Sequence, residues 1–349
     1  MNSLRSSFGP VLSLVIMGLV GVWVVGMIIG PQLIMVEQSL WNKEIGGEAA
    51  QISTRIDRLY NEVDTLAFDK SDAEALDEST DRTEKIAAIT AEIDTRKSTI
   101  TELEATEVKP IKVYSFRNYT LMGASHFFIF LKTIAAAVAV TVIAFVVCYP
   151  IAFAVAKVAT PGKAAMIMLF LIIPYSINEL LRIFAWLMIL DNNGVANLIL
   201  GWFGFESIPF LGSGSGVFIA MVYAYILFMV FPIYNTVETL DGSQIEAARD
   251  MGASTWQIHR KIVIPHAKPG IAVGCIMTFM LSAGSFAVPN IMTRGIAEPW
   301  FTQLIYNKFF ESSNWNTGSA YAFTLVIACI VFIFMMMRFF GVGIKDIAK

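Results

Sequence analysis

Six stretches of this chain stay apolar for about 20 residues or more, the length that a helix needs to cross a bilayer. They run over residues 11–36, 127–156, 164–190, 217–240, 271–293 and 321–340. Inside a membrane every backbone N–H and C=O must find a partner within the protein, and a helix satisfies them internally. The expected fold is therefore an all-α membrane protein with six transmembrane helices. Composition agrees: 56% of residues are hydrophobic and 15% are charged, against about 25% charged in an ordinary soluble domain. The first stretch follows Arg5 but exceeds the 7–15 apolar residues of a cleaved leader, and no small-x-small site follows it. An uncleaved anchor helix is expected there.

The charges are concentrated. Of 28 acidic residues, 18 lie between Glu37 and Arg117, together with 11 of the 25 basic ones. Short loops carrying Lys157 and Lys163, then Arg249, Arg260, Lys261 and Lys268, then Lys345 and Lys349, read as cytoplasmic by the excess of positive charge there. The N-terminus then lies inside and the acidic segment outside, although Arg294 and Lys308 fall on the outer side too. Within that segment Ile52, Ile56, Leu59, Val63 and Leu66 are spaced 4, 3, 4, 3. Ile86, Ile89, Ile93, Ile100 and Leu103 share one phase in the same way. Each run gives a helix one narrow apolar stripe. A turn at Asp69-Lys70-Ser71-Asp72 would fold them into an antiparallel hairpin standing off the membrane; a single long helix pairing with another chain is the alternative.

The stretch between the fourth and fifth spans is the most specific. It carries Glu246-Ala247-Ala248, then Gly252 after three residues, then Ile262 after nine more, then Pro265. Ile245, Ala248 and Met251 follow at helical spacing. Gly252 suits a helix C-terminus, Ser254 or Thr255 can cap a second helix, and Pro265 and Pro269 are expected to stop that helix before the next span. This pattern resembles the EAA loop of binding-protein-dependent ABC importer permeases, with Ile264 in place of the family's Leu. Phe116-Arg-Asn-Tyr119 is similar to the lead-in of type I permeases. Ile173-Pro174, residues 182–186, Gly194-Val-Ala-Asn197, Phe286-Ala-Val-Pro289 and residues 314–320 resemble spermidine/putrescine-type permeases, and more the first permease of such systems than the second.

The resemblance covers the chain from about residue 114 to its end and omits the charged segment. It implies a type I ABC permease fold with an external helical hairpin inserted after the first helix. The organisation would be a cytoplasmic end and first span over 1–36, the hairpin over 37–113, and a five-helix core over 114–349 that includes a coupling loop at 241–268. Glu246, Ala247, Ala248, Gly252, Ile262 and Pro265 would then form the knob that docks on an ATPase subunit. Implied partners are two ATPase subunits, a second related permease, an external solute-binding protein and the lipid bilayer of a bacterial inner membrane. ATP and Mg would be bound by the ATPase subunits and no cofactor by this chain. No phosphate-cradling GxxxxGK[ST] stretch, zinc HExxH or nucleophile elbow occurs in the sequence, and no basic cluster interleaved with aromatics suggests nucleic acid.

Ionisable groups inside a span are costly and face a bundle interior or a water-filled path. Glu179 and Arg182 sit in the third span at i, i+3 spacing, which allows an ion pair, and Glu179 alternatively offers a carboxylate to a cationic solute. Asn178, Trp186, Tyr223, Ser282, Ser285 and Asn290 are the other candidate pathway residues. Pro174 interrupts the third span. Trp186, Tyr223, Tyr225 and Trp315 are either contacts for alkyl ammonium groups or interface anchors. His126 is expected at the interface, and His259 and His266 at the surface of the coupling loop. Cys148, Cys275 and Cys329 each stand alone in apolar runs and read as small buried side chains. The expected function is a permease passing a small organic solute, a polyamine by preference, or else an opine or quaternary amine. An ion-gradient-coupled secondary transporter would leave the loop pattern unexplained, and a membrane-anchored scaffold would carry no flux.

Overall fold

The computed structural model describes residues 2–44, 48–74, 80–104, 111–211, 214–293 and 299–343. Among them five helices are long and apolar enough to span a membrane, or six if one bent pair is counted as a broken span. The first is α1 (Val11–Leu40), which contains a π-helical stretch at Val24–Ile29. Strand β1 (Trp41–Glu44), helix α2 (Glu48–Glu74), helix α3 (Thr80–Glu104) and strand β2 (Ile111–Tyr114) follow, with β1 and β2 antiparallel. A short helix α4 (Arg117–Thr120) leads into the second span, α5 (Ala124–Val158).

The third stretch is not one straight helix. Helix α6 (Pro161–Ile172) gives way to a 3₁₀ turn at Ile173–Ser176, and α7 (Glu179–Ile189) leaves at 96° to it. Pro174 cannot donate to the helix ladder, so the chain breaks where sequence placed the interruption. After α8 (Val195–Trp202) come the fourth span α9 (Ser215–Glu238), the loop helix α10 (Gly242–Asp250) and α11 (Thr255–Ala283). The fifth span therefore ends at Ala283, ten residues short of the expected 293. Gly284 closes it, and residues 287–293 form a separate helix α12 (Ala287–Thr293). Helices α13 (Phe301–Phe310) and α14 (Trp315–Phe340) complete the chain described.

Helices α5, α9 and α11 pack on one another as the centre of the bundle. On α5 the buried side chains Ile129, Thr133, Ala137, Val140, Ala144, Cys148 and Ala152 recur every three or four residues, which draws one stripe on a helix. The small ones let the backbones approach. The closest approach is between α9 and α11. Gly270 and Gly274 of α11 lie against Pro232, Thr236 and Met229 of α9, and any Cβ on Gly270 would collide with the Thr236 hydroxyl and the Pro232 carbonyl oxygen. Lipid tails are as apolar as side chains, so close van der Waals packing of this kind holds membrane helices together. Helix α14 packs on α11 and α13 and carries α1 on its other side. Only 6% of the apolar window of α1 is buried within the chain, so α1 is peripheral.

The lower end of α1 is nonetheless pinned. A helix leaves its last carbonyls without internal donors. Here the Asn118 side-chain amide donates to the carbonyls of Ser39 (2.9 Å) and Trp41 (3.1 Å), and that of Asn316 to Gln38 (2.9 Å) and Trp41 (2.8 Å). The Tyr119 hydroxyl donates to Ser39 Oγ at 2.8 Å.

Helices α2 and α3 pack side by side along their apolar stripes, with Ile93 and Ile100 buried. Arg96 bridges Glu62 of α2 and Glu92 of α3 at 2.9 and 2.7 Å. One expectation is corrected. Asp69–Asp72 is helical, since α2 runs on to Glu74; no proline or glycine breaks it there. The pair also packs on the rest of the protein. Lys308 of α13, 3% exposed, donates to Asp64 of α2 at 2.7 Å and to Asn61 at 3.1 Å, and Phe68 packs on the cluster around Phe301 and Leu304. Removing one partner of a buried ion pair strands the other charge, at a cost of about 3–5 kcal/mol. Lys308→Met is therefore expected to lower the thermal unfolding midpoint and expose α2 to protease, and adding Asp64→Asn to restore most of the loss. A double-mutant cycle with no coupling energy would refute this account of the attachment.

Candidate functional site

The loop between α9 and α11 is a compact helix–turn–helix. Asp241 caps α10 by accepting from the Ser243 N–H at 3.0 Å. The Ser243 hydroxyl, then that backbone bond and the nearby Lys157 ammonium, hold its carboxyl below the usual carboxylate range. Lys157 itself donates to the carbonyl of Glu238, the last residue of α9, and to that of Leu240 just beyond it. Ile245 and Ala248 turn inward onto Ala152, Val237, Ile258 and Val263. Gly252 takes φ +79°, and the Ala253 N–H returns to the Ala248 carbonyl at 3.0 Å, the bond pattern of a left-handed helix stop. Ser254 and Gln257 then cap α11 reciprocally.

With the inner face committed, Glu246 and Ala247 point outward, joined by Met251 and Trp256, which are 81% and 69% exposed. Met251 thus departs from the inward spacing of Ile245 and Ala248, because the helix stops beside it at Gly252. Ile262 is half-buried against the interior cluster and Pro265 is exposed. Pro265 and Pro269 do not stop the second helix, as sequence suggested. A π-helical stretch at His259–Val263 precedes Pro265 and takes up its missing donor, so one helix runs from the loop into the membrane. His259 is only partly exposed. It is hydrogen-bonded through Nδ1 to the Tyr149 hydroxyl at 2.7 Å and packs on Phe153, tying α11 to the end of α5. His266 is exposed beside Thr239.

The second candidate cluster forms around the bend in the third span. The Arg182 guanidinium lies over the Tyr175 ring at 4.4 Å, Trp186 contacts Tyr223 at 5.0 Å, and Tyr175 and Tyr223 are stacked at 6.4 Å. The Tyr175 hydroxyl donates to the Tyr223 and Ala224 carbonyls at 2.8 and 3.0 Å, inserting into the backbone ladder of α9. Asn178 caps α7 through the Leu180 N–H at 2.9 Å. Of the two arrangements that the Glu179–Arg182 spacing left open, no ion pair is seen among the described residues. Glu179, the first residue of α7, stays exposed where the helix dipole favours a carboxylate. Arg182 reaches back over the turn to Tyr175, as long helical side chains do, and its Nη1 is buried with no hydrogen-bond partner among the described residues.

Tyr225 stands beside Ser285 and within electrostatic reach of Glu179 and Arg182. Ser282 is buried and donates to Met221 Sδ at 3.7 Å. Asn290 lies on α12, which packs on α7, and accepts from Gln303 at 3.5 Å. The bend gathers Arg182, Tyr175, Trp186 and Tyr223. Ser285 adjoins them through Tyr225. Trp315 is exposed against Phe309. His126, expected at the interface, is buried and bonded through Nδ1 to the Tyr321 hydroxyl at 2.8 Å. Cys148 and Cys275 are buried as expected, and Cys329 partly so.

Residues 149–342, which include the bend and the whole loop, match the family described as binding-protein-dependent transport system inner membrane component. The chain belongs to this family. It is 35% identical to the spermidine/putrescine transport system permease protein PotB of Escherichia coli over 66% of this chain and 83% of that protein. It is 29% identical to the inner membrane ABC transporter permease protein YdcU of the same organism, over 62% of this chain and 72% of that one. A bacterial alginate ABC transporter, solved in complex with an alginate pentasaccharide-bound periplasmic protein, shares the fold at a TM-score of 0.56 and 17% identity, over 66% of this chain and 85% of that one. The protein is thus a multi-pass inner-membrane permease subunit of an ABC importer, and ATP hydrolysis belongs to separate subunits.

Sequence spacing located the permease's loop but not its outward side chains, because the side that Met251 takes depends on where the helix stops. Nor did it reveal the Tyr175 hydroxyl in the α9 ladder, since nothing in a tyrosine's neighbours signals a bond to a helix 50 residues away.

Proposed function

We propose that this permease passes a polyamine or closely related organic cation through the bilayer, delivered by an external binding protein. Identity of 35% to a spermidine/putrescine permease carries the reading. An exposed carboxylate, Glu179, beside the aromatic group Tyr175, Trp186 and Tyr223 fits it chemically, since ammonium groups are attracted to both. Arg182, Asn178, Ser282, Ser285 and Asn290 complete the proposed pathway set. Glu246, Ala247, Ala248, Gly252, Ile262 and Pro265 form the proposed coupling knob.

In this reading the assembly has two ATPase subunits, a second related permease and one binding protein. The N-terminus is cytoplasmic and the α2–α3 hairpin periplasmic. The chain divides into a first span (1–36), a hairpin (37–113) and a permease core (114–349). ATP binding closes the ATPase pair, the knobs follow, and the core opens outward to receive the solute. ATP and Mg act on the partners.

The test is ATPase activity of the purified complex in lipid, with its binding protein and a panel of spermidine, putrescine, choline, sulfate and an opine. Spermidine or putrescine is expected to stimulate most. Glu179→Gln is expected to raise the half-saturating concentration about tenfold, the usual order for losing one charge-assisted contact. Stimulation by sulfate alone, or a response unchanged in Glu179→Gln, would overturn the substrate assignment.

A further inference from the structure

A cavity of about 200 Å³ lies between the α2–α3 hairpin and the permease core, apart from the bend at Glu179. Asp57, Tyr60 and Glu104 line it from the hairpin, Arg117 and Asn316 from the core, and its lining is mainly polar. It has room for several waters, or for the head of a small aliphatic molecule.

Its chemistry is biased toward acceptors. Asp57 accepts from the Asn314 amide at 3.3 Å, and Glu104 Oε1 from the Tyr60 hydroxyl at 2.9 Å. Neither carboxylate forms an ion pair among the described residues. Asn316 commits its N–H groups to the carbonyls of Gln38 and Trp41, and Asn118 its own to Ser39 and Trp41. Their amide oxygens remain as acceptors. Arg117 is the sole cation of the lining, and it donates to Thr54 at 2.6 Å. Lys308, the next nearest, is taken by Asp64. Two carboxylates against one guanidinium leave the lining with one negative charge in excess. Burial outweighs both cations at Asp57 and holds its carboxyl above the usual range, as expected of a carboxylate lacking a close counter-ion.

The geometry points to a binding site for one primary ammonium group of a small aliphatic amine, held by Asp57 and Glu104 with Tyr60 alongside. Three N–H donors on a single positive charge match what the cavity lacks. A divalent metal fits less well, since no group of three acidic, His or Cys side chains converges among the described residues. The site is independent of which solute the permease transports. It lies where the hairpin meets the core, so an amine bound there would tighten their contact.

The test is equilibrium binding of radiolabelled putrescine to the whole transporter in nanodiscs, without binding protein or ATP. Saturable binding is expected, weakened about tenfold or more by Asp57→Asn and by Glu104→Gln, the order for losing a charged partner. Choline, which has no N–H donor, is expected not to compete. Glu104 is at an exposed helix end, so Glu104→Gln and Tyr60→Phe decide the matter should Asp57→Asn lower the unfolding midpoint. No saturable binding, binding indifferent to Asp57→Asn and Glu104→Gln, or displacement by calcium or by choline each overturns the site. Binding lost only in Glu179→Gln would also overturn it, while supporting the pathway reading.

Discussion

Replacing Gly270 by leucine is expected to leave little folded permease. The position lies where α11 crosses α9, and what a side chain would strike is the Pro232 carbonyl and the Thr236 hydroxyl. Thr236 is itself fixed by donating to the Pro232 carbonyl at 3.0 Å. Backbone cannot step aside as a side-chain tip can, so the two central helices must separate. Overpacking in ordinary cores costs about 1–3 kcal/mol, and separating backbones at the centre of the bundle adds to that. Gly270→Ala is expected to lower the unfolding midpoint measurably, and Gly270→Leu to abolish recovery of monodisperse protein from detergent. Gly162→Ala is the control: nothing lies within 4 Å of its added Cβ, and alanine favours a helix over glycine by about 1 kcal/mol. Normal stability of Gly270→Leu would mean that α9 and α11 do not meet as described.

Replacing Glu246 by alanine is expected to have the opposite signature, normal folding with lost coupling. Helix α10 is held by Ile245 and Ala248 from within and by Asp241 and Gly252 at its ends. Glu246 contributes to none of these and faces outward. Its loss therefore leaves the unfolding midpoint unchanged within about 0.5 kcal/mol, as for most surface substitutions. In the proposed function, solute-stimulated ATPase activity and uptake both collapse toward the unstimulated rate. Trp256→Ala, removing a large exposed apolar side chain from the same face, is expected to weaken retention of the ATPase subunits on purification. Full stimulation in Glu246→Ala would take the coupling role away from this face.

The readability of the sequence followed the range of the interactions. Spans of about 20 apolar residues, the heptad stripes of α2 and α3, and the stop at Gly252 are governed by neighbours within a turn or two, and all could be read directly. Pro174 foretold the break in the third span but not its 96° angle, which depends on packing of α7 against α9 and α12. Pro265 misled because its cost is absorbed by a π stretch that has no sequence signature. The Glu179–Arg182 spacing permitted an ion pair, yet Arg182 reached back across the turn to the Tyr175 ring at 4.4 Å, a contact that spacing within one helix could not show. His126 and His259 were placed too far outward for the same reason: their partners Tyr321 and Tyr149 lie 195 and 110 residues away. The Lys308–Asp64 bond, across 244 residues, could not be read from spacing either.

The pinning of α1 bears on the order in which the protein can mature. Translation delivers Gln38, Ser39 and Trp41 early, and Asn118 reaches the Ser39 and Trp41 carbonyls soon after. The Gln38 carbonyl waits for Asn316, 278 residues later in the chain. Until the last span has been synthesised and inserted, the exit of the first is only half closed. Residues 278 positions apart thus finish one helix end, so the exit of the first span is completed only by a segment made much later.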